Sequence, residues 1–177
     1  KELNFLVKRA NSLGMPVAIH AIGDRGVEMA LNAFEFSNHL NFANRVEHVE
    51  VIQPGAVERF RKLGVTASMQ PNHGTGVIGK YITPRIGEDR EQFAYVWNDF
   101  LKGGVRLALS SDFATSPFSP LVQLYDAVFR ESPSGLYDGP WYPEQRISFD
   151  EALYSYTQIG AELSGWGDEI EIGRAHV

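Results

Sequence analysis

The amino-acid sequence predicts an α/β protein whose strands form a parallel sheet. Three observations lead to this fold class: four short apolar segments with the composition of β-strands, a polar residue at or just beyond the end of each, and a helical pattern after each. Strands that alternate with amphipathic helices are typical of βαβ units, whose crossovers make the strands parallel. The 177 residues, 44% of them hydrophobic, are enough for one domain with its own core.

The elements follow one another along the whole chain. Strands are predicted over residues 15–20, 45–49, 65–70 and 105–110. Helices are predicted over Glu2–Ser12 and over residues 25–37, 54–62, 88–101, 119–130 and 148–163. Gly14 and Gly64 are placed to end helices, and Asp24 is placed to cap one. The glycine-rich stretch between Pro71 and Arg90 is predicted to be a loop before the next helix.

The strand pattern alone leaves two architectures open. Four βα units joined by right-handed crossovers form either an open doubly wound sheet or one half of a (β/α)₈ barrel. A complete barrel needs about 250 residues. This chain therefore has room for half of one.

Composition excludes several classes of function. The formal charge is −6, from 16 Lys and Arg against 22 Asp and Glu, so no basic surface for nucleic acid is expected. No apolar run is long enough to span a membrane, and the cytoplasm is the expected compartment. Because the chain has no cysteine, a metal site would consist of His, Asp, Glu or a modified Lys. A small molecule is the expected ligand.

Polar residues at the strand ends are the candidates for chemistry. His20, His48, Gln70 and Asp112 each lie at or just beyond the end of a predicted strand. In parallel α/β folds these ends share one face, where ligands bind. Two imidazoles and a carboxylate are plausible ligands for zinc. Each residue also has a structural interpretation, a hydrogen-bonded histidine or a helix-capping aspartate, so a small-molecule binding module with structural histidines remains the alternative.

Several motifs, taken in order, carry a resemblance to a known family. Residues 17–25 (VAIHAIGDR), 45–48 (RVEH), 68–73 (SMQPNH) and 110–112 (SSD) resemble the amidohydrolase superfamily. The similarity is to its branch of N-substituted formamide deformylases, which is related to D-aminoacylases. Residues 141–148 (WYPEQRIS) and 152–157 (ALYSYT) extend the resemblance over nearly the whole chain.

The resemblance implies a role for each strand-end residue. His20 and His48 would be the metal ligands that end barrel strands five and six, and Asp112 the metal-binding carboxylate after strand eight. Asp112 would also be the catalytic base and acid, acting on a metal-activated water that cleaves a non-peptide amide-type C–N bond. Gln70 and His73 would either line the substrate pocket or order the loop that carries them. One or two divalent ions, expected to be zinc, would be the cofactor.

The resemblance also implies what lies outside this chain. The family's His-x-His pair on strand one and its bridging ligand on strand four are absent, so we expect residues 1–171 to form the C-terminal half of the barrel. The missing N-terminal half would then be its main partner, without which the fragment is expected to be inactive; a homo-oligomer is left open. Residues 172–177 match the translation of a common sequencing adapter and are expected to be a non-native tail.

Overall fold

A four-stranded parallel sheet organises the part of the chain that the structure describes. The structure is a computed structural model that describes residues 1–40, 42–76, 79–131 and 139–169. The strands are β1 (Ala18–Ala21), β2 (Arg45–His48), β3 (Thr66–Met69) and β4 (Leu107–Leu109). They pair in sequence order, each parallel to the next. The predicted α/β class with a parallel sheet is confirmed.

Helices connect the strands and pack against the sheet. In chain order they are α1 (Glu2–Ser12), α2 (Asp24–Ser37), α3 (Ala56–Leu63), α4 (Pro71–Thr75), α5 (Ile82–Ile86), α6 (Glu88–Glu91), α7 (Trp97–Lys102), α8 (Pro120–Phe129), α9 (Phe149–Tyr156) and α10 (Gln158–Leu163). Short 3₁₀ turns cover Gly79–Tyr81 and Pro143–Gln145.

The two faces of the sheet differ in polarity. One face is apolar and buried, with Val46, Ala67 and Leu107 contributing to the core beside helix residues such as Phe60. Complete burial of a side chain the size of Phe60 contributes about 1.5–3 kcal/mol. On the opposite face, the register places His20 beside Glu47 and Ala18 beside Arg45, and these four positions are exposed or half-buried. The more exposed face is therefore the one that carries His20.

The predicted helix over residues 88–101 is wrong in its centre. The structure has α6 and α7 with a break between them, where Ala94 forms an antiparallel bridge with Val51. Tyr95 has a φ of 52° and donates its backbone N–H to the Glu50 carbonyl at 2.8 Å. Pairing with a distant segment thus overrides the local helical pattern.

Other predicted bounds change for local reasons. The helix predicted over residues 148–163 divides into α9 and α10 at Thr157, whose hydroxyl donates to the Leu153 carbonyl at 2.6 Å. Asp24 does not cap α2: Gly23 holds the N-cap position, and Asp24 accepts a hydrogen bond from the Arg25 N–H within the first turn. The stretch predicted as a loop after Pro71 instead contains α4, a 3₁₀ turn and α5.

Two further sequence predictions concern the C-terminal residues and membrane-spanning segments. The suggested non-native tail, residues 172–177, lies outside the described residues. The described helices include none that is long and apolar enough to cross a membrane.

Candidate functional site

The carboxyl ends of the four strands meet at one edge of the sheet. His20 lies in β1, His48 ends β2, and Gln70 follows β3 directly. Asp112 lies just beyond the end of β4. Parallel pairing therefore brings together side chains that are far apart in sequence, at the edge where α/β proteins bind ligands.

The two histidines predicted as metal ligands contact each other. Their ring centroids are 4.6 Å apart, with the planes at 72°. His48 Nδ1 lies 2.9 Å from Gln70 Oε1. Because an amide oxygen can only accept, this contact requires a hydrogen on His48 Nδ1, and in the neutral ring Nε2 then keeps a lone pair. A metal-ligating histidine has this arrangement, with its second ring nitrogen held by a hydrogen bond.

Gln70 connects the ends of three neighbouring strands. Besides accepting from His48, it donates through Nε2 to Ser110 Oγ at 2.9 Å. The residue is 4% exposed, so both ends of its amide are occupied inside the protein. This geometry lets Gln70 orient His48. A contact between Gln70 and the substrate stays a prediction.

A second buried group lies beside His48. His73, on α4, has its ring stacked on that of His48, with centroids 5.6 Å apart and planes at 9°. His73 Nδ1 lies 3.1 Å from Glu50 Oε1, and the Tyr95 hydroxyl donates to Glu50 Oε2 at 2.9 Å. All three of these side chains, His73, Glu50 and Tyr95, are buried.

Asp112 is the accessible carboxylate of the site. Its side chain is 39% exposed, and its Oδ2 lies 3.7 Å from His73 Nε2. The backbone of Asp112 has a φ of 54°, in the left-handed region. The predicted catalytic residue is therefore open to solvent on one side and faces a buried imidazole on the other.

Backbone conformations that L-residues adopt rarely are concentrated around these side chains. His48, Val49, Tyr95 and Asp112 all have φ between 50° and 78°. Such a φ is a clear outlier for a β-branched residue such as Val49. Strained backbone of this kind is found preferentially at functional sites, where surrounding contacts hold it in place.

The residues at this edge fit a divalent metal by their chemistry. In the described ranges, His48, Glu50 and His73 form the group of three whose ligand atoms all lie within 4.8 Å of one another. The predicted set of His20, His48 and Asp112 does not form so close a group there. Imidazole nitrogen and carboxylate oxygen are ordinary zinc ligands, and His48 belongs to both sets.

Hydrogen bonds to α8 hold the helix that carries His73 in place. Asn72 donates through Nδ2 to Asp126 Oδ2 at 2.7 Å, and its backbone N–H donates to Gln123 Oε1 at 3.0 Å. Burial raises the pKa of Asp126 from 3.8 to about 6, although hydrogen bonds from Asn72 and Thr75 lower it. His73 is thus held on a short helix with a buried polar anchor.

Sequence reasoning missed three residues of this site. The sequence alone does not single out Glu50 or Tyr95, and it indicates Ser110 only as a strand end and as the first residue of the SSD motif. Glu50 carried a usable signal, since it is an acidic residue between Val49 and Val51 in an apolar run. An acidic side chain that is buried at such a position needs a partner. No local pattern indicates Tyr95, whose partner Glu50 lies 45 residues away.

Comparison with known proteins gives one consistent result. A model of the amidohydrolase family matches residues 1–175. The putative amidohydrolase YtcJ of Bacillus subtilis is 33% identical over 163 residues, which cover 91% of this chain and 30% of that protein. The N-substituted formamide deformylase of Arthrobacter pascens is 32% identical over 180 residues, covering 98% of this chain and 32% of the enzyme.

Solved structures agree with the sequence matches. The crystal structure of an uncharacterized metal-dependent hydrolase from Pyrococcus horikoshii OT3 superposes with a TM-score of 0.81 at 33% identity. The match covers 94% of this chain and 33% of that one. The chain therefore spans about a third of the length of the proteins it resembles.

Proposed function

Because the chain belongs to the amidohydrolase family, we propose that it supplies part of the active site of a metal-dependent hydrolase that cleaves amide-type C–N bonds. One observation carries the proposal. Histidines from two adjacent strands contact each other at the ligand-binding edge of a parallel sheet, and a buried amide holds His48 with its Nε2 free. An N-substituted formamide is the substrate class suggested by the deformylase relative.

We further propose that the four strands are the C-terminal half of a (β/α)₈ barrel. Their sequential parallel order is the order that half of such a barrel requires. The more exposed face, with His20, Arg45 and Glu47, would then line the barrel interior. The Arg45–Glu47 ion pair would satisfy two charges on that face.

His20, His48 and Asp112 are the residues we assign to the metal, with zinc the expected ion. The metal would activate the attacking water and polarise the scissile carbonyl. Gln70 already orients His48 as a metal ligand, whereas His20 presents its ring from an exposed position of β1. The group of His48, Glu50 and His73 is the competing ligand set, and the two differ in whether His20 or Glu50 is essential.

Asp112 is assigned the proton transfers of hydrolysis. Its partly exposed carboxylate can take a proton from the attacking water and return it to the leaving nitrogen. The neighbouring His73 would contact the substrate on the same side of the site. D112N keeps the shape of the side chain but removes its basicity, so kcat is expected to fall by about 10²–10⁴-fold.

Metal analysis of the complete protein that carries this chain tests the proposal. We expect a bound divalent metal, retained in H39A and lost in the triple variant H20A/H48A/D112A. His39 suits the control because it follows α2, where it contacts Ser37 instead of the site. Absence of metal, or full occupancy in the triple variant, would contradict the assignment and favour a binding module with structural histidines.

A further inference from the structure

The buried chain Tyr95–Glu50–His73 determines which ring nitrogen of His73 carries a hydrogen. A carboxylate has no hydrogen to donate, so Glu50 Oε1 must accept from His73 Nδ1 at 3.1 Å. The Tyr95 hydroxyl uses the other oxygen of the same carboxylate. A neutral imidazole has one donor and one acceptor, so Nε2 of His73 is then an acceptor.

This acceptor faces the site and has no partner. Among the residues that the structure describes, His73 Nε2 is a buried nitrogen without a hydrogen bond. The nearest carboxylate oxygen, Asp112 Oδ2, is 3.7 Å away, which is too far for a hydrogen bond. A buried acceptor left unpaired is unfavourable, so a donor from a ligand would be bound there.

The helix that carries His73 is also held in place. The backbone N–H of His73 donates to the Gln70 carbonyl at 3.0 Å. A Cβ added at the next residue, Gly74, would lie 3.0 Å from the Tyr95 ring, so α4 packs directly on that tyrosine. Tyr95 therefore fixes both Glu50 and the helix that carries His73.

We propose that Tyr95 and Glu50 are positioning residues that hold His73 as an acceptor for the N–H of the scissile amide. The inference rests on the proposed function and deepens it. His73 Nε2 would accept the hydrogen of the amide nitrogen, and Asp112 would face the lone pair of the same nitrogen. When the C–N bond breaks, Asp112 returns to this nitrogen the proton it took from water, and the N–H hydrogen bond to His73 is kept. The substrate class is thus amides whose scissile nitrogen bears a hydrogen.

The first test measures the tautomer of His73 without reference to activity. In the complete protein labelled with ¹⁵N-histidine, we expect His73 to be protonated at Nδ1 alone, with its signals assigned by their loss in H73Q. E50Q should release the second tautomer, because an amide can present either its oxygen or its NH₂ group to the ring. E58Q is the matched control, since Glu58 is half-exposed on α3 with Arg61 as its partner. A ring protonated at Nε2, or at both nitrogens, or a spectrum unchanged by E50Q, would overturn the proposal.

The second test uses N-butylformamide and N-butyl-N-methylformamide as probes. Only N-butylformamide can donate a hydrogen bond from its amide nitrogen to His73 Nε2. One such bond corresponds to a kcat/KM about tenfold higher for N-butylformamide than for the N-methyl substrate. E50Q should reduce this preference to within about threefold while metal content stays unchanged. A purely steric effect of the methyl group would leave the preference intact in E50Q, which contradicts the proposal.

Failure of the proposed function and failure of the inference about His73 give different experimental results. If the complete protein binds no metal, the proposed function fails, and the His73 tautomer is still measurable. If metal binding and hydrolysis are both present but His73 is not an Nε2 acceptor, only the inference about Tyr95, Glu50 and His73 fails.

Discussion

Replacing Asp126 by Asn is expected to change how the stability of the protein depends on pH. Asp126 is completely buried between α8 and α4, where its carboxylate accepts from Asn72. Burial raises its pKa from 3.8 to about 6. The folded protein therefore favours the protonated form, and ionisation of this group opposes folding.

The ordinary pKa of 3.8 and the folded pKa of about 6 set how the free energy of unfolding depends on pH. Below a pH of about 3.8 the carboxyl is protonated in both states, and stability is not reduced. As the pH rises to the folded value of about 6, the native protein retains a proton that the unfolded chain has lost, so the free energy of unfolding falls. A shift of about two pKa units corresponds to a loss of about 3 kcal/mol, which is complete above pH 6.

Urea unfolding followed by circular dichroism between pH 4.5 and 8 measures this difference. D126N cannot ionise, so its advantage over the native protein should grow with pH and then level off at about 1–3 kcal/mol. D89N is the control, because Asp89 is exposed on α6. Parallel stability curves for the native protein and D126N across this range would refute the reasoning.

Two further substitutions test the buried polar contacts that shape the fold. R130M should cost about 3 kcal/mol or more in urea unfolding, since Arg130 is completely buried, lies over two tryptophan rings and donates to two backbone carbonyls. Arg61 is exposed, so R61M should stay within about 0.5 kcal/mol of the native protein. Similar losses for R130M and R61M would show that the buried contacts of Arg130 do not stabilise the fold. N44A should cost about 2–3 kcal/mol in the same assay, because Asn44 Oδ1 accepts from Asn11 Nδ2 and from the Val17 N–H. A change below about 0.5 kcal/mol would show that water replaces these bonds.

The sheet and its polar strand ends were predictable from the sequence because their signal is local. Apolar runs such as the one ending at His20 are set by residues next to one another. Gly64 ends α3 as predicted, and the structure shows it in a left-handed conformation. Parallel pairing then follows from the βα alternation, with no knowledge of individual contacts. The positions of His20, His48 and Asp112 at one edge are a consequence of that topology.

The buried polar partners were not predictable, because they depend on contacts between distant segments. Glu50 meets Tyr95 only after the helical pattern over residues 88–101 has been broken by the bridge between Val51 and Ala94. Asn72 meets Asp126 across 54 positions. Hydrophobic periodicity describes which face of an element is buried, and it contains no information on which polar groups meet inside.

The position of the metal is the most direct test of the central claim. Anomalous diffraction from crystals of the metal-loaded complete protein would locate the ion among the histidines. We predict an ion about 2.0–2.2 Å from a ring nitrogen of His20 and from Nε2 of His48, with Asp112 as an oxygen ligand. An ion bound by Glu50 and His73 without His20, or no ion at this edge of the sheet, would contradict the account.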